Sequence, residues 1–190
     1  GTIVPISMGS NLLGQGIYTL LDDIVKYLPS PENREFAGIN LKTNEVFRAD
    51  YNFSKAKSAY IFKTIVDPYI GKYSLIKVCS GVLKVDDLLY NEDKNVEEKL
   101  SKLYVLRGNK PIEVKELHAG DIGAIGKLTG ARTGDTLSTK ATTIRYGKRN
   151  ISTPYTYMRY KAKNKSDIDK ISQSLQKMMH EDLTLKHVND

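Results

Sequence analysis

Residues 60–66 read Tyr60-Ile61-Phe62-Lys63-Thr64-Ile65-Val66, and residues 73–79 read Tyr73-Ser74-Leu75-Ile76-Lys77-Val78-Cys79. Both runs are rich in β-branched and aromatic residues, and both are bounded by turn formers, Asp67-Pro68 before the second and Ser80-Gly81 after it. That combination reads as strand. The punctuation continues downstream: 87–90, 103–106, 112–117 and 122–128 are short β-prone runs set apart by Gly108-Asn109-Lys110-Pro111, Ala119-Gly120-Asp121 and Thr133-Gly134-Asp135. Six or more short strands with turn residues between them predict a closed or nearly closed antiparallel barrel. The expected fold class is mainly β.

Upstream of the barrel the period changes. Ile17, Leu20, Leu21, Ile24, Val25 and Leu28 fall at helical spacing on one stripe, after Gly14 and Gly16 and before Pro29 and Pro31. This predicts an amphipathic helix ended by proline. Residues 32–57 are polar and turn-rich and read as a linker with a small hairpin around Thr43-Asn44. Downstream, 152–161 alternates like a strand. Ser166 with Asp169 reads as a capping box opening a helix whose stripe is Ile168, Ile171, Leu175, Met178 and Met179. Leu183-Thr184-Leu185 reads as the start of another strand. A β-α-β run of this kind is half of a ferredoxin-like unit.

The 190 residues carry 29 Lys and Arg against 22 Asp and Glu, a net charge of +7. Ten of the basic residues, but only Asp167 and Asp169 among the acids, lie between Lys140 and Lys177, which leaves nineteen basic and twenty acidic residues elsewhere. The excess is regional, and a regional excess directs a field toward a polyanion. Tyr146, Tyr155, Tyr157 and Tyr160 are interleaved with it, which fits base stacking and equally fits a strand face half in a core. No apolar run approaches the ~20 residues of a membrane-spanning helix. Cys79 is the one cysteine and reads as a small buried hydrophobe, and no Cys/His cluster has zinc spacing. The expected setting is reducing and cytoplasmic, with no membrane partner.

Catalytic constellations are absent from the sequence. His118, His180 and His187 have no matching nucleophile, and Asp22-Asp23 and Asp86-Asp87 are neighbours that point apart on a helix or strand. A phosphate loop requires G-x-x-x-x-G-K-[ST], whereas Gly71-Lys72, Gly126-Lys127 and Gly147-Lys148 are followed by Tyr, Leu and Arg. Asn164-Lys165-Ser166-Asp167 matches the N-K-x-D guanine pattern in letters only, since it lies in a lysine-rich stretch with no phosphate loop upstream. No catalytic residue, metal ligand or cofactor is expected in this chain.

Several segments nonetheless resemble one family. Val4-Pro5-Ile6-Ser7-Met8-Gly9-Ser10-Asn11, with the helix ending Tyr27-Leu28-Pro29-Ser30-Pro31, resembles the last strand, guanine-contact loop and final helix of the elongation factor G GTPase domain. Asp67-Pro68-Tyr69-Ile70-Gly71-Lys72 and Cys79-Ser80-Gly81-Val82-Leu83-Lys84 resemble the opening hairpin of that family's second domain. Ala119-Gly120-Asp121-Ile122 and Thr133-Gly134-Asp135-Thr136-Leu137 resemble its closing strands. Ser174-Leu175-Gln176-Lys177, with Glu181-Asp182, is similar to the first helix of its third domain. The matches run in the family's order. Departures occur at Asn11, where the family has alanine, at Leu183 for proline and at Leu185 for phenylalanine, so the expected parent is elongation factor G or a close elongation factor G-like paralogue.

The resemblance implies an internal fragment of a ribosomal GTPase. Residues 1–31 would be the tail of the GTPase domain, 32–57 a linker, 58–147 the translation-factor β-barrel of domain II, and 148–190 the truncated start of a ferredoxin-like third domain. Gly9 and Ser10 would be a remnant of the guanine-contact loop. GTP and magnesium would belong to the parent protein, a translational GTPase, and to no part of this fragment. The implied partners are the ribosome, through small-subunit rRNA and proteins, and the parent's missing GTPase domain and remaining domains. Candidate rRNA contacts, chosen for charge beside turns or in the basic stretch, are Lys72, Arg107, Arg132, Arg159, Lys161 and Lys163. The alternative expectation is a stand-alone RNA-binding β-barrel without GTPase activity. The parent's role as translocase, recycling factor or ribosome-protection protein is left open by the sequence.

Overall fold

The structure is a computed structural model and describes residues 3–33, 35–67, 71–108 and 110–188. Pro68, Tyr69, Ile70 and Asn109, which carry parts of two expected turns and of one family motif, lie outside the described residues. The chain divides into two compact units, Gly1–Arg34 and Glu35–Asp190.

In the first unit, α1 spans Ile17–Tyr27. Gly16 enters it in the left-handed region at φ 81°, where a side chain is strained, and a Cβ there would also lie 2.7 Å from the Met8 carbonyl oxygen. Leu28 is extended ahead of Pro29, and the helix stops there. The apolar stripe of α1 is present but at least two-fifths exposed throughout, from Ile24 at 42% to Val25 at 84%.

In the second unit, β3 (Ser58–Asp67) and β4 (Gly71–Ser80) pair antiparallel at the centre of an eight-stranded sheet. The sheet is completed by β6 (Leu88–Asn91), β7 (Val96–Lys99), β8 (Leu103–Arg107), β9 (Lys110–Val114), β11 (Ile122–Gly126) and β12 (Thr136–Ser138). Its order is β7-β6-β12-β3-β4-β11-β8-β9, and every neighbouring pair is antiparallel. Ile61 of β3, Ile76 of β4, Leu89 of β6, Leu103 of β8, Ile125 of β11 and Leu137 of β12 meet in one buried cluster. Side chains from strands so far apart in the order share one core because the sheet curls on itself. Register shifts in β3 between Ser58 and Ala59, and between Ile61 and Lys63, supply bends of the kind that bulges give. Among the described residues no ladder joins β7 to β9, so the barrel is rolled without a closing seam. A two-stranded pair, β5 (Val82–Lys84) with β10 (Glu116–His118), adds Leu83 and Leu117 to the same core.

The opposite face of β3 and β4 is covered as well. β1 (Phe36–Asn40) forms a hairpin with β2 (Val46–Ala49), and β1 also pairs with β13 (Ile144–Tyr146). The segment read as a linker therefore contains the hairpin expected near Asn44, which turns at φ 58°, and that hairpin is docked rather than free. Ala49, Cys79, Ile144 and Tyr146 form a second buried cluster against Phe36, Phe47 and Tyr60. Alternation explains the division: Ala59 and Ile61 point into the barrel, and Tyr60 between them points to the small sheet.

Two C-terminal expectations are corrected. Residues 152–161 form no strand, because alternation supplies a face but no pairing neighbour, and a strand is held by its ladder. Residues 183–185 form no strand either: the Asp182 carboxylate accepts from the Thr184 amide (2.9 Å) and hydroxyl (2.6 Å), folding the chain into a turn. The helix between them, α2, spans Ile168–Glu181. It begins after a 3-10 turn at Lys165–Asp167 with no side-chain cap, so the expected capping box is not formed; Asn164 bonds the Asp167 carboxylate instead.

Candidate nucleic-acid interface

The turn from Lys127 to Asp135 is the most heavily constrained polar segment of the barrel. Glu98, on the inward-facing register of β7, is 2% exposed. Its Oε2 accepts from the Thr129 amide (3.0 Å) and hydroxyl (3.1 Å), and its Oε1 accepts from the amides of Gly130 (2.7 Å) and Ala131 (2.8 Å). Four donors satisfy a carboxylate that could not otherwise be buried. Lys72, at the start of β4, donates from Nζ to the Ala131 carbonyl at 2.5 Å. Burial pushes its ammonium below the usual lysine range, and Arg132 adds to that, while Glu98 and Asp135 oppose it. On the far side, the buried Asp135 Oδ2 accepts from the Arg132 amide (3.0 Å) and from Asn91 Nδ2 (2.9 Å). The Thr64 and Thr133 hydroxyls lie 2.8 Å apart. The Arg132 side chain itself is exposed.

The structure brings Lys72 and Arg132 together and separates the other candidates from them. Arg107 is exposed at the end of β8, and the pairing of Leu103 with Ile125 and Tyr104 with Ala124 places it at the opposite end of the ladder from Lys72. Arg159, Lys161 and Lys163 are exposed in the segment ahead of α2. The first part of the basic stretch is tied down: Arg145 and Lys148 contact Asp93 at 3.3 and 3.2 Å, and Lys140 pairs with Glu97 at 2.8 Å. The tyrosines divide likewise. Tyr146 is in the core, Tyr155 and Tyr157 are more than nine-tenths exposed, and the Tyr160 hydroxyl meets His187 Nε2 at 2.7 Å.

Gly9 and Ser10 belong to a tight turn before α1. Ser10 bridges Gln15, its amide donates to the Gln15 carbonyl at 3.0 Å, and its hydroxyl accepts from the Leu13 amide at 3.3 Å. A Cβ at position 9 would sit 2.6 Å from the Gln15 oxygen, so Gly9 is fixed by space.

Comparison with known proteins adds the identity of this barrel. The family model described as elongation factor G domain 2 matches residues 56–140. The curated relative "Elongation factor G" of Karelsulcia muelleri (strain GWSS) is 36% identical over 189 residues, covering 99% of this chain and 27% of that protein. "Elongation factor G" of Chlamydia trachomatis serovar D is 35% identical over 187 residues, 98% of this chain and 27% of that protein. Residues 56–140 belong to the elongation factor G domain 2 family, and the chain as a whole is similar to elongation factor G. A crystal structure of a Thermus thermophilus protein, 26% identical, superposes with a TM-score of 0.69 over 90% of this chain and 23% of that one. The chain thus spans about a quarter of the length of the elongation factor G relatives that it matches. The domain 2 match takes in β3 to β12, and with them Glu98, Lys72, Arg107 and Arg132; Gly9, Ser10, Arg159, Lys161 and Lys163 fall outside it.

The GTP and magnesium implied by elongation factor G do not fit the described residues. Gly71-Lys72 opens β4, Gly126-Lys127 closes β11, and Gly147-Lys148 follows β13, so none of these pairs stands at a helix N-terminus that could receive a phosphate. Among the described residues no group of three His, Cys, Asp or Glu side chains is placed to hold a metal. His118 lies 3.3 Å from Glu116 and 3.7 Å from Asp121 on the barrel surface, with its ring 5.2 Å from that of Phe53 and tilted to it. His180 on α2 is held below its ordinary range by burial and by Lys72 and Arg132. Burial pushes the Cys79 thiol up to about 12, and the side chain is a core residue. Among the described residues no helix is long and apolar enough to cross a membrane.

Glu98 and Asp135 were not singled out in the sequence. The signal for Glu98 was available in Val96-Glu97-Glu98-Lys99-Leu100: period-2 alternation puts Glu98 on the face of Val96 and Leu100. Three charges in five residues masked the strand.

Proposed function

We propose that this chain is the coupling and ribosome-docking part of an elongation factor G-type translational GTPase. The reading rests on one observation above the others: a domain 2 match at 56–140 set within similarity to elongation factor G along 99% of the chain. In this reading residues 1–31 are the tail of the GTPase domain, the barrel is domain II, and residues 148–190 begin the third domain. Gly9 and Ser10 are the remnant of the guanine-contact loop. GTP and magnesium are held by the parent's GTPase domain, and the fragment hydrolyses nothing. The exposed guanidinium of Arg132 and the exposed Arg107, Arg159, Lys161 and Lys163 face small-subunit rRNA in the cytoplasm, where they neutralise phosphates and release counterions. Motion of the GTPase domain reaches the ribosome as rigid-body displacement of the barrel.

The test is association of the chain with isolated small ribosomal subunits across a salt series. A steep fall in affinity with rising salt is expected, and Arg159→Glu, Lys161→Glu and Lys163→Glu combined should lower the slope. A flat response refutes phosphate contact. Tight GTP binding by the chain would refute its assignment as a fragment without nucleotide machinery.

A further inference from the structure

Lys72 and Arg132 share one turn but present their charges differently. The Lys72 ammonium is half-buried and donates to the Ala131 carbonyl at 2.5 Å, so its direction is fixed along the turn. Glu98 holds the amides of residues 129–131 from beneath. Asp135 and the Thr64–Thr133 contact hold the other flank, including the Arg132 amide. The backbone anchors of residues 129–135 are internal to the barrel, and the guanidinium of Arg132 is exposed on that anchored part of the turn, with Lys127 exposed at the turn's start, next to β11.

We propose that Lys72 and Glu98 are positioning residues for a preformed RNA-docking turn, and that Arg132 is the group on that turn which pairs with phosphate. The inference rests on the ribosome-docking reading and adds a division of labour to it. A turn fixed before binding avoids the ordering cost that a free loop incurs. A lysine whose ammonium stays on a carbonyl in the free and bound states displaces no counterion from RNA, whereas a guanidinium that meets a phosphate does. Charge alone ranks the two residues equally, and the geometry separates them.

The experiment measures affinity for small ribosomal subunits as a function of salt, using the whole 190-residue chain. Arg132→Gln should weaken binding and reduce the log–log salt slope by about 0.7–0.9, the change for one phosphate contact. Lys72→Met keeps most of the stem. It should weaken binding about equally at every salt concentration and leave the slope unchanged, and Glu98→Gln should do the same. In an Arg132→Gln background, Glu98→Gln should have little further effect, because there is no longer a guanidinium to position. If Glu98→Gln fails to fold, Thr129→Ala removes only the hydroxyl bond and should give the same parallel shift on a smaller scale, with faster hydrogen exchange at the 129–131 amides. A Lys72→Met slope reduced as much as that of Arg132→Gln overturns the proposal, since lysine would then be reading phosphate. A steep wild-type slope that Arg132→Gln leaves untouched also overturns it, while the docking reading stands. A flat wild-type slope sinks the docking reading itself.

Discussion

Tyr146 ties the small sheet to the barrel, and replacing it measures that attachment. The residue is 1% exposed on β13, with its ring 4.7 Å from that of Phe36 and its hydroxyl 2.7 Å from the Ser58 hydroxyl. Ser58 is in turn 2.6 Å from Ser80, whose hydroxyl donates to the Ala56 carbonyl at 2.6 Å. Tyr146→Phe leaves the ring and removes one end of this chain; Ser58 keeps Ser80, so no group is wholly orphaned. The expected loss is that of one buried hydrogen bond, about 0.5–1.5 kcal/mol. Tyr146→Ala also removes the ring, and the space beside Gly38 cannot close easily, because β1 and β13 are held in register there. A loss of about 3–5 kcal/mol is expected, a large share of an ordinary domain's stability. The chain has no tryptophan, so urea unfolding should be followed by circular dichroism, with the midpoint shifting and the m-value unchanged. A cycle with Ser58→Ala should show coupling of about 0.5 kcal/mol or more. Strict additivity, together with an alanine variant that loses less than about 1 kcal/mol, would refute the buttress.

Three further outcomes follow from particular contacts. Gly123→Ala would place a Cβ 2.4 Å from Leu117 Cδ1 and 2.9 Å from the Tyr104 oxygen, so a loss of about 1–3 kcal/mol in urea unfolding is expected; neutrality would mean that the β5–β10 pair can shift. His180, whose pKa is lowered from 6.5, contributes to α2 packing as the neutral form, so its contribution is complete above about 6.5 and is lost as pH falls through the lowered value. Histidine NMR should show the His180 ring titrating below the ordinary histidine range, and His180→Gln should remove the acid-side loss of protection in α2; an ordinary titration of His180 would contradict the packing. Cys79, with its thiol pushed up to about 12, should resist iodoacetamide at pH 8 in the folded chain and react once the chain is unfolded in urea. Rapid labelling of the native protein would place Cys79 at the surface.

The parts of the fold visible in the sequence are those where burial and β-propensity coincide. β3, β4, β8 and β11 are apolar runs between turn residues, and their structural bounds lie within about two residues of the sequence reading, the usual uncertainty of strand ends. β7 was hidden because its inward position is polar, the buried Glu98. β12 was legible only through the family resemblance, because Thr136 and Ser138, on the face opposite Leu137, are polar and are buried by accepting from the β13 amides of Tyr146 and Ile144. The hairpin of β1 and β2 looked like a linker for a related reason, since its burial comes from pairing with β13, about a hundred residues later. Alternation over 152–161 misled in the opposite direction, because a pattern specifies a face and a ladder needs a neighbour. In the candidate interface, charge and turn position pointed to Lys72 and Arg132 together. The difference between them depends on where one ammonium is aimed, which composition does not encode.

The pairing of Gly38 with Tyr146 has an architectural consequence. The strand through which the chain enters the barrel lies beside the strand through which it leaves, about 5 Å away at adjacent Cα positions. Such a module can be spliced into a host polypeptide, or removed from it, with little change in the distance between the flanking segments. It can likewise be re-cut at a surface turn and joined across Gly38 and Tyr146 by a short tether. A pull applied to both flanks would be borne first by the short β1–β13 ladder, which would unzip before the eight-stranded sheet carried any of the load.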